Sequence, residues 1–235
     1  MMRLPLVAVS WERPIELSIP NDEFGTALTV FDDRKTALIA NVSHYGFVER
    51  GPVVLRCESG TFALKSGMYF SVCGPADLEG SGRGIVVARP DYRCLFSLGG
   101  PCENQGRLQY VDGCTDTLLL GPPKVGGPCL NLLYLPPHTQ QRRHTHPSVR
   151  VGVIISGRGR CVGPGGLVQL APGQIFVIPP HTEHSFFTDD DPLRVIAYHP
   201  DTDTGPSDHD HPMINRTILS HSSELGVGNA VRFEP

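Results

Sequence analysis

Short apolar runs separated by turn-forming residues are the feature that most restricts what this chain can fold into. The runs are TALTVF, TALIANV, PVVLRC, MYFSV and GIVVAR in the first hundred residues, then LNLLYL, RVGVIIS, LVQL, QIFVIP and LRVIAYH. Each run has the length of a β-strand and is bounded by Gly, Pro, Asp or Ser. The 26 glycines and 22 prolines supply tight turns. The sequence therefore predicts an all-β protein.

The charge balance argues against several classes of partner. Charged residues make up 19% of the chain, and the formal net charge is −4 without a basic block or an acidic tail. We therefore expect no nucleic-acid partner and no membrane partner. No apolar run approaches the length of a membrane span, and the first residues lack the pattern of a signal peptide. The seven cysteines form no CxxC pair, which favours free thiols and a cytoplasmic location.

The length of 235 residues suits two domains, each of about 100–120 residues. The Gly/Pro-rich stretch 119–129 is the strongest candidate for a hinge, and the stretch 99–107 is its rival. We predict two β domains, residues 1–110 and residues 111–235.

The segment HTHPSVR places His144, His146 and Arg150 at alternate positions. Successive residues of a strand point to opposite faces, so these three side chains would share one face. Two imidazoles placed in this way can converge on one metal ion. A third ligand would have to come from elsewhere, and His181 and His184 follow a later strand that ends at prolines. The alternative is that the histidines are polar residues on a solvated face.

These two segments resemble the two sequence motifs of the cupin superfamily. The first motif, G-x5-HxH-x3-E-x6-G, matches residues 138–157 in spacing, with Arg150 in place of the glutamate. The second motif, G-x5-P-x-G-x2-H-x3-N, matches residues 173–188 in spacing. The other departures are His138 at the first glycine, His181 at the inner glycine of the second motif and Thr188 at the final asparagine.

The resemblance implies two cupin-like antiparallel β-barrels of the jelly-roll type. It also implies a divalent metal held inside the mouth of the second barrel by His144, His146 and His184. Because His181 stands at a turn glycine of the family, it is not expected to be a ligand. Side chains alternate along a strand, so Glu183 would face away from its neighbour His184 and is not expected to replace a histidine ligand.

Arg150 cannot bind a metal cation. We expect it either to clamp a carboxylate or phosphate of the substrate or to form a structural ion pair, for instance with Glu183 or Asp189. Tyr198 is the second candidate catalytic residue, because it and Cys161 lie on strands expected to line the same barrel. For these two, ordinary core packing is the favoured alternative.

Residues 57–78 resemble a degenerate copy of the second motif, in which Leu78 occupies the position of His184. No HxH precedes it. The chain therefore resembles a bicupin whose first half has lost its metal. That half would contribute packing surface, a dimer contact or one wall of the pocket. A homodimer is therefore among the expected assemblies.

Residues 199–211, HPDTDTGPSDHDH, concentrate histidines and aspartates. The segment could form a second cation site or a lid over the barrel mouth. The alternative to the cation site is a solvated polar loop, and we favour the loop.

Three functions fit these observations. The favoured one is a mononuclear Fe(II) oxygenase that acts with O₂ on a small anionic substrate, carboxylate or amino-acid-like. The second is a Zn(II) enzyme that catalyses a rearrangement, an isomerisation, a lyase step or N–N bond formation. The third is a non-catalytic cupin that binds a small molecule. No helix-turn-helix or basic patch accompanies the predicted barrels, which argues against a DNA-binding regulator.

Overall fold

The computed structural model describes residues 7–10, 16–19, 22–214 and 217. Within these residues the regular structure is twenty β-strands and one 3-10 turn at Val111–Gly113. All strand pairs are antiparallel, and the strands form four sheets. The predicted all-β fold class is confirmed.

Two sheets belong to the first half. The larger has the spatial order β11-β8-β5-β10-β3-β2, and the smaller has the order β4-β9-β6-β7. In chain order their strands are β2 (Glu16–Ser18), β3 (Ala27–Asp32), β4 (Thr36–Leu38), β5 (Ser43–Arg50), β6 (Val53–Cys57), β7 (Gly60–Leu64), β8 (Tyr69–Cys73), β9 (Ala76–Gly80), β10 (Arg83–Arg89) and β11 (Ser97–Gly99).

Two further sheets belong to the second half. The larger has the order β1-β18-β15-β20-β14-β13-β12, and the smaller has the order β17-β16-β19. Their strands are β1 (Val7–Ser10), β12 (Leu108–Gln109), β13 (Thr115–Leu120), β14 (Cys129–Leu135), β15 (Arg150–Gly157), β16 (Gly159–Gly163), β17 (Gly166–Leu170), β18 (Gln174–Ile178), β19 (Ser185–Phe187) and β20 (Leu193–His199).

The two halves repeat one arrangement. The order β8-β5-β10-β3 in the first half corresponds to β18-β15-β20-β14 in the second. In each half a glycine of the middle strand lies under a phenylalanine ring of its neighbour, Gly46 under Phe70 and Gly152 under Phe176. A Cβ at either glycine would lie 2.0–2.1 Å from the ring, so only glycine fits. The repeat supports the interpretation that residues 57–78 are a copy of the second motif.

Three hydrophobic clusters hold the sheets together. One lies between the two sheets of the first half, and another lies between the two sheets of the second half. The third joins the two large sheets face to face across the halves, and includes the ring pair Tyr45–Tyr198 at 5.5 Å. Each large sheet is therefore buried on both faces. Among the described strands no sheet closes into a complete barrel.

Strand β1 crosses between the halves, because it pairs with β18 of the second half. The division at residues 110 and 111 stays a prediction. All seven cysteines are free thiols. No helix in the described part of the chain is long and apolar enough to cross a membrane.

Candidate metal centre

The two histidines of the HxH segment lie outside the strand that carries Arg150. Strand β15 begins at Arg150, and a bend at residues 147–148 separates it from the histidines. The prediction of one strand through all three residues is therefore wrong. Instead, His144 and His184 exchange backbone hydrogen bonds of 3.0 Å, and the N–H of His181 donates to the carbonyl of His146 at 2.7 Å. These bonds join the two motif segments side by side.

His144, His146 and His184 form one cluster. Their ligand atoms all lie within 4.8 Å of one another, and the described residues contain no other group of three potential ligands this close. The ring centroids are 4.4–5.2 Å apart. The structure thus brings together the three residues that the motif spacing selects.

The hydrogen bonds of two rings fix which nitrogen is free. Nδ1 of His144 lies 2.9 Å from the carbonyl of Arg142, and Nδ1 of His184 lies 2.9 Å from the carbonyl of Thr182. A carbonyl can only accept, so each Nδ1 carries the proton and each Nε2 keeps its lone pair. Nε2 of His184 is buried without a partner among the described residues. This is how metal-binding imidazoles are commonly held.

Burial keeps two of the three rings uncharged. It lowers the pKa of His146 to about 3 and that of His184 to about 4. The neighbouring charge of Arg150 lowers both pKa values further. At neutral pH these imidazoles are therefore neutral and available as ligands.

The two histidines that stand at family glycines both adopt left-handed backbone. His138 has φ 62° and His181 has φ 56°, a region that glycine enters at no steric cost. His181 is exposed and lies outside the cluster. Glu183 pairs instead with Arg143, at 3.4 Å.

Arg150 lines a cavity beside the histidines, and its side chain is only 11% exposed. Its Nη1 donates to the carbonyls of Val149 at 3.0 Å and Ser148 at 3.2 Å, and to Oγ of Ser148. Nη1 also lies 3.8 Å from the carboxylate of Asp201. The ion-pair partner is therefore Asp201.

The ion-pair partners expected from the sequence are wrong. Glu183 and Asp189 pair with Arg143 and Arg160. The other edge of the Arg150 guanidinium has no partner among the residues that the structure describes. Its Nε is buried and unpaired, and no described residue accepts from Nη2. Nε–H and Nη2–H form the fork that binds a carboxylate in bidentate fashion.

The structure does not bring Tyr198 to this cavity. Alternation along β20 turns Tyr198 into the cluster between the two large sheets, where it is fully buried. Ala197 and His199 face the cavity instead. His199 stacks on His146 with ring centroids 6.5 Å apart, and burial holds its pKa well below the usual value. In the sequence, the only feature that points to His199 is the alternation of side chains along the strand, which places it on the same face of the sheet as Arg150 and on the face opposite to Tyr198. Cys161 is a buried core residue.

The cavity has a volume of about 240 Å³ and is lined by both apolar and polar residues. Sequence reasoning missed several of its polar side chains. Asp116 of β13 accepts a hydrogen bond of 3.2 Å from Nδ2 of Asn131 of β14. Burial raises the pKa of Asp116 to about 6, against the opposing effect of that bond. No motif marks these residues. The apolar lining includes Leu133, Phe176, Ile178 and Phe186.

The loop 199–211 is tied down at its start. Oγ of Ser148 donates to Asp201, and the backbone of residues 125–126 donates to the carbonyls of Pro206 and Thr202 at 2.9 and 2.8 Å. The described histidines and acids of this loop form no close group of three. The loop therefore contacts the cavity wall through Asp201.

Comparison with known proteins adds the family. The family described as "Cupin domain" matches residues 131–199. No curated protein matches the sequence.

Three solved structures are similar in fold. A cupin 2 conserved barrel domain protein from Leptotrichia buccalis is 12% identical, with a TM-score of 0.60 over 84% of this chain and 98% of that one. Salicylate 1,2-dioxygenase from Pseudaminobacter salicylatoxidans is 10% identical, with a TM-score of 0.61 over 80% and 76%. Protein Ylba from E. coli is 14% identical, with a TM-score of 0.60 over 86% and 93%. Residues 131–199 thus match the cupin domain family, and the chain as a whole is similar in fold to cupin structures.

Proposed function

We propose that this protein is a metal-dependent enzyme, a mononuclear Fe(II) oxygenase that acts with O₂ on a small anionic substrate. The observation that carries the proposal is the cluster of three histidines beside an arginine whose carboxylate-binding edge has no partner among the described residues. His144, His146 and His184 would hold the metal. Bound Fe(II) would supply a redox-active centre beside the substrate, and the electrons that reduce O₂ would come from the substrate itself.

The donor set fits a divalent metal. It consists of three imidazole nitrogens, two of them fixed by Nδ1 hydrogen bonds to backbone carbonyls. Imidazole ligands suit iron and zinc. No carboxylate joins the described cluster, so a bound cation would keep its full double charge. That charge favours an anionic ligand.

The residues around the cluster have separate roles in this proposal. Arg150 binds the acid group of the substrate through Nε and Nη2. Ser148 and Asp201 hold the guanidinium in place through Nη1. The aromatic rings of Phe176 and Phe186, 5.4 Å apart, cover the apolar part of the substrate.

The choice of an oxygenase has one comparative support. Salicylate 1,2-dioxygenase from Pseudoaminobacter salicylatoxidans, solved with gentisate, shares the fold over 74% of this chain at 10% identity, with a TM-score of 0.56. The likeness concerns the fold. For this chain it supports an oxygenase as the first candidate to test.

Zinc is the second candidate, because three histidines with an open position are a known zinc arrangement. A Zn(II) site would direct the same cavity to non-redox chemistry. The deciding experiment is metal analysis of protein purified without added metal, followed by oxygen uptake with a panel of carboxylic and amino acids. Stoichiometric iron with substrate-dependent oxygen uptake supports the oxygenase. Zinc without oxygen uptake supports the alternative, and the absence of bound metal contradicts both and leaves a small-molecule-binding cupin.

We also propose that the chain is a bicupin with domains 1–110 and 111–235, whose first half holds no metal. The strand register supports this, because the pair Thr36–Leu78 corresponds to the bridge His144–His184. Leu38 corresponds to His146 in the same register, and it is buried like Leu78. The first half would then serve packing or a homodimer contact. The free cysteines support a cytoplasmic location.

A further inference from the structure

A carboxyl group that the proposed metal chemistry does not use lies in the cavity wall. Asp116 and Asn131 line the same cavity as Arg150 and the three histidines. Asn131 donates to Oδ1 of Asp116 at 3.2 Å, and no donor of the described residues reaches Oδ2. One carboxylate oxygen is therefore left without a protein partner in a cavity of about 240 Å³.

Two neighbouring amides show the same shortage of donors. Gln141 is 3% exposed and also lines the cavity. Its Nε2 donates to Sγ of Cys114 at 3.5 Å, while its Oε1 is buried without a described partner. Oδ1 of Asn131 is buried and unpartnered in the same way. Three acceptor oxygens in this part of the cavity wall, one each on Asp116, Gln141 and Asn131, thus have no donor among the described residues.

Arg150 lies on a different part of the wall. Its strand β15 is separated from the Asp116 strand β13 by β20 and β14. Three strand spacings amount to about 14 Å along the curved sheet. The side chains of Leu133, Phe176 and Phe186 line the same cavity. Leu133 of β14 and Ala197 of β20 line the cavity between the strands of Arg150 and Asp116, so an apolar stretch separates the cationic part of the wall from the acceptor part.

We propose that Asp116 is a substrate-recognition residue, positioned by Asn131, and that the substrate is an apolar or aromatic acid with an O–H or N–H donor at the end remote from its acid group. This inference rests on the proposed function of the cavity as a substrate site. Arg150 binds the acid group, and Oδ2 of Asp116 accepts from the remote donor. The pKa of Asp116, raised to about 6 by burial against the opposing effect of the Asn131 bond, indicates a carboxyl group that has lost water and gained only the Asn131 amide as a donor among the described residues.

The test uses three acids of one shape: 4-hydroxyphenylacetate, 4-aminophenylacetate and 4-methylphenylacetate. Their affinities for the full-length protein are measured by calorimetry at pH 7.5, with and without bound metal. We expect the hydroxyl and amino compounds to bind at least tenfold more tightly than the methyl compound, the low end for a hydrogen bond to a charged group. Asp116→Asn should reduce this preference at least threefold, and Asp116→Leu should abolish it.

Asp189→Asn is the matched control, because Asp189 is an ion-paired carboxylate of the same half that lies outside this cavity. It should keep the wild-type preference. Three outcomes would overturn the proposal. The wild type binds all three acids with equal affinity, it binds none of them measurably, or both Asp116 variants keep the full preference. Failure of the proposed function has a separate signature. A protein that binds no metal would still show the preference, because Arg150 and Asp116 bind the acid without a metal.

Discussion

Asp116 is expected to destabilise the fold at neutral pH. Burial raises its pKa from 3.8 to about 6. The folded protein therefore keeps a proton that the unfolded chain releases between about pH 4 and pH 6. Stability should fall as the pH rises through this window, and the full penalty should apply above it. At about 1.36 kcal/mol per pKa unit, a difference of about two corresponds to about 3 kcal/mol.

Asp116→Asn removes the charge and keeps an oxygen that can accept from Asn131. Because water in the cavity screens part of the charge, we expect the variant to be more stable than the wild type by about 1–3 kcal/mol at pH 7.5. At pH 4 the two proteins should be equally stable. The assay is urea unfolding of the metal-free proteins, followed by circular dichroism at both pH values. Comparing variant and wild type at each pH cancels the titration of all other groups.

Asp189→Asn again serves as the control. Arg160 lowers the pKa of Asp189, so its ionised form favours the folded state above the pKa of the unfolded chain, and this contribution is lost as the pH falls. The substitution should therefore give no gain in stability at pH 7.5. A gain in Asp116→Asn that is equal at both pH values, or a loss at pH 7.5, would refute the assignment of a costly buried charge. A gain confined to neutral pH would show a residue that is kept at the expense of stability, as functional residues often are.

The remaining predictions concern the metal and the backbone. His146→Ala should reduce metal content from one ion per chain to well below one, and unchanged stoichiometry by elemental analysis would contradict the ligand assignment. Arg150→Ala should keep its metal but bind an anionic ligand roughly ten- to a hundredfold more weakly, whereas Arg150→Lys should keep part of the affinity. Loss of metal or of folding in Arg150→Ala, with affinity intact, would make Arg150 structural. His138→Gly should stabilise the fold by about 0.5–1 kcal/mol, because glycine relieves the left-handed backbone. A loss of stability in thermal unfolding would contradict that reasoning.

The sequence predicts those parts of the site that depend on local spacing. The distance between His144 and His146 and the turn at His181 are set within single segments, so the pattern selects the same three histidines that the structure brings together. The left-handed turn at His181 also falls where the family has glycine. The all-β class follows equally directly, because turn residues interrupt the chain at every strand end.

Other parts of the site depend on contacts between distant segments. The partner of Arg150 is Asp201, 51 positions further along the chain, and nothing in either segment indicates the pairing. Tyr198 and His199 are adjacent in sequence but face opposite sides of β20. Choosing between them requires knowing which face of the large sheet meets the first half. Asp116 lies in TDTLLL, an unremarkable strand whose polar residue becomes significant only when β13 closes the cavity wall.

The charges of the cavity favour one orientation of a bound ligand. A divalent cation on the three histidines would add to the charge of Arg150, which the carboxylate of Asp201 offsets only in part at 3.8 Å. This end therefore attracts an anion. At the other end, the ionised Asp116 repels an anion and attracts a donor. An acid that entered in reverse would place its carboxylate against Asp116 and leave Arg150 unpaired. Since like charges brought together across an interface cost several kcal/mol, the two ends of the proposed site would together reject the reversed ligand and present the same end of each substrate to a bound metal.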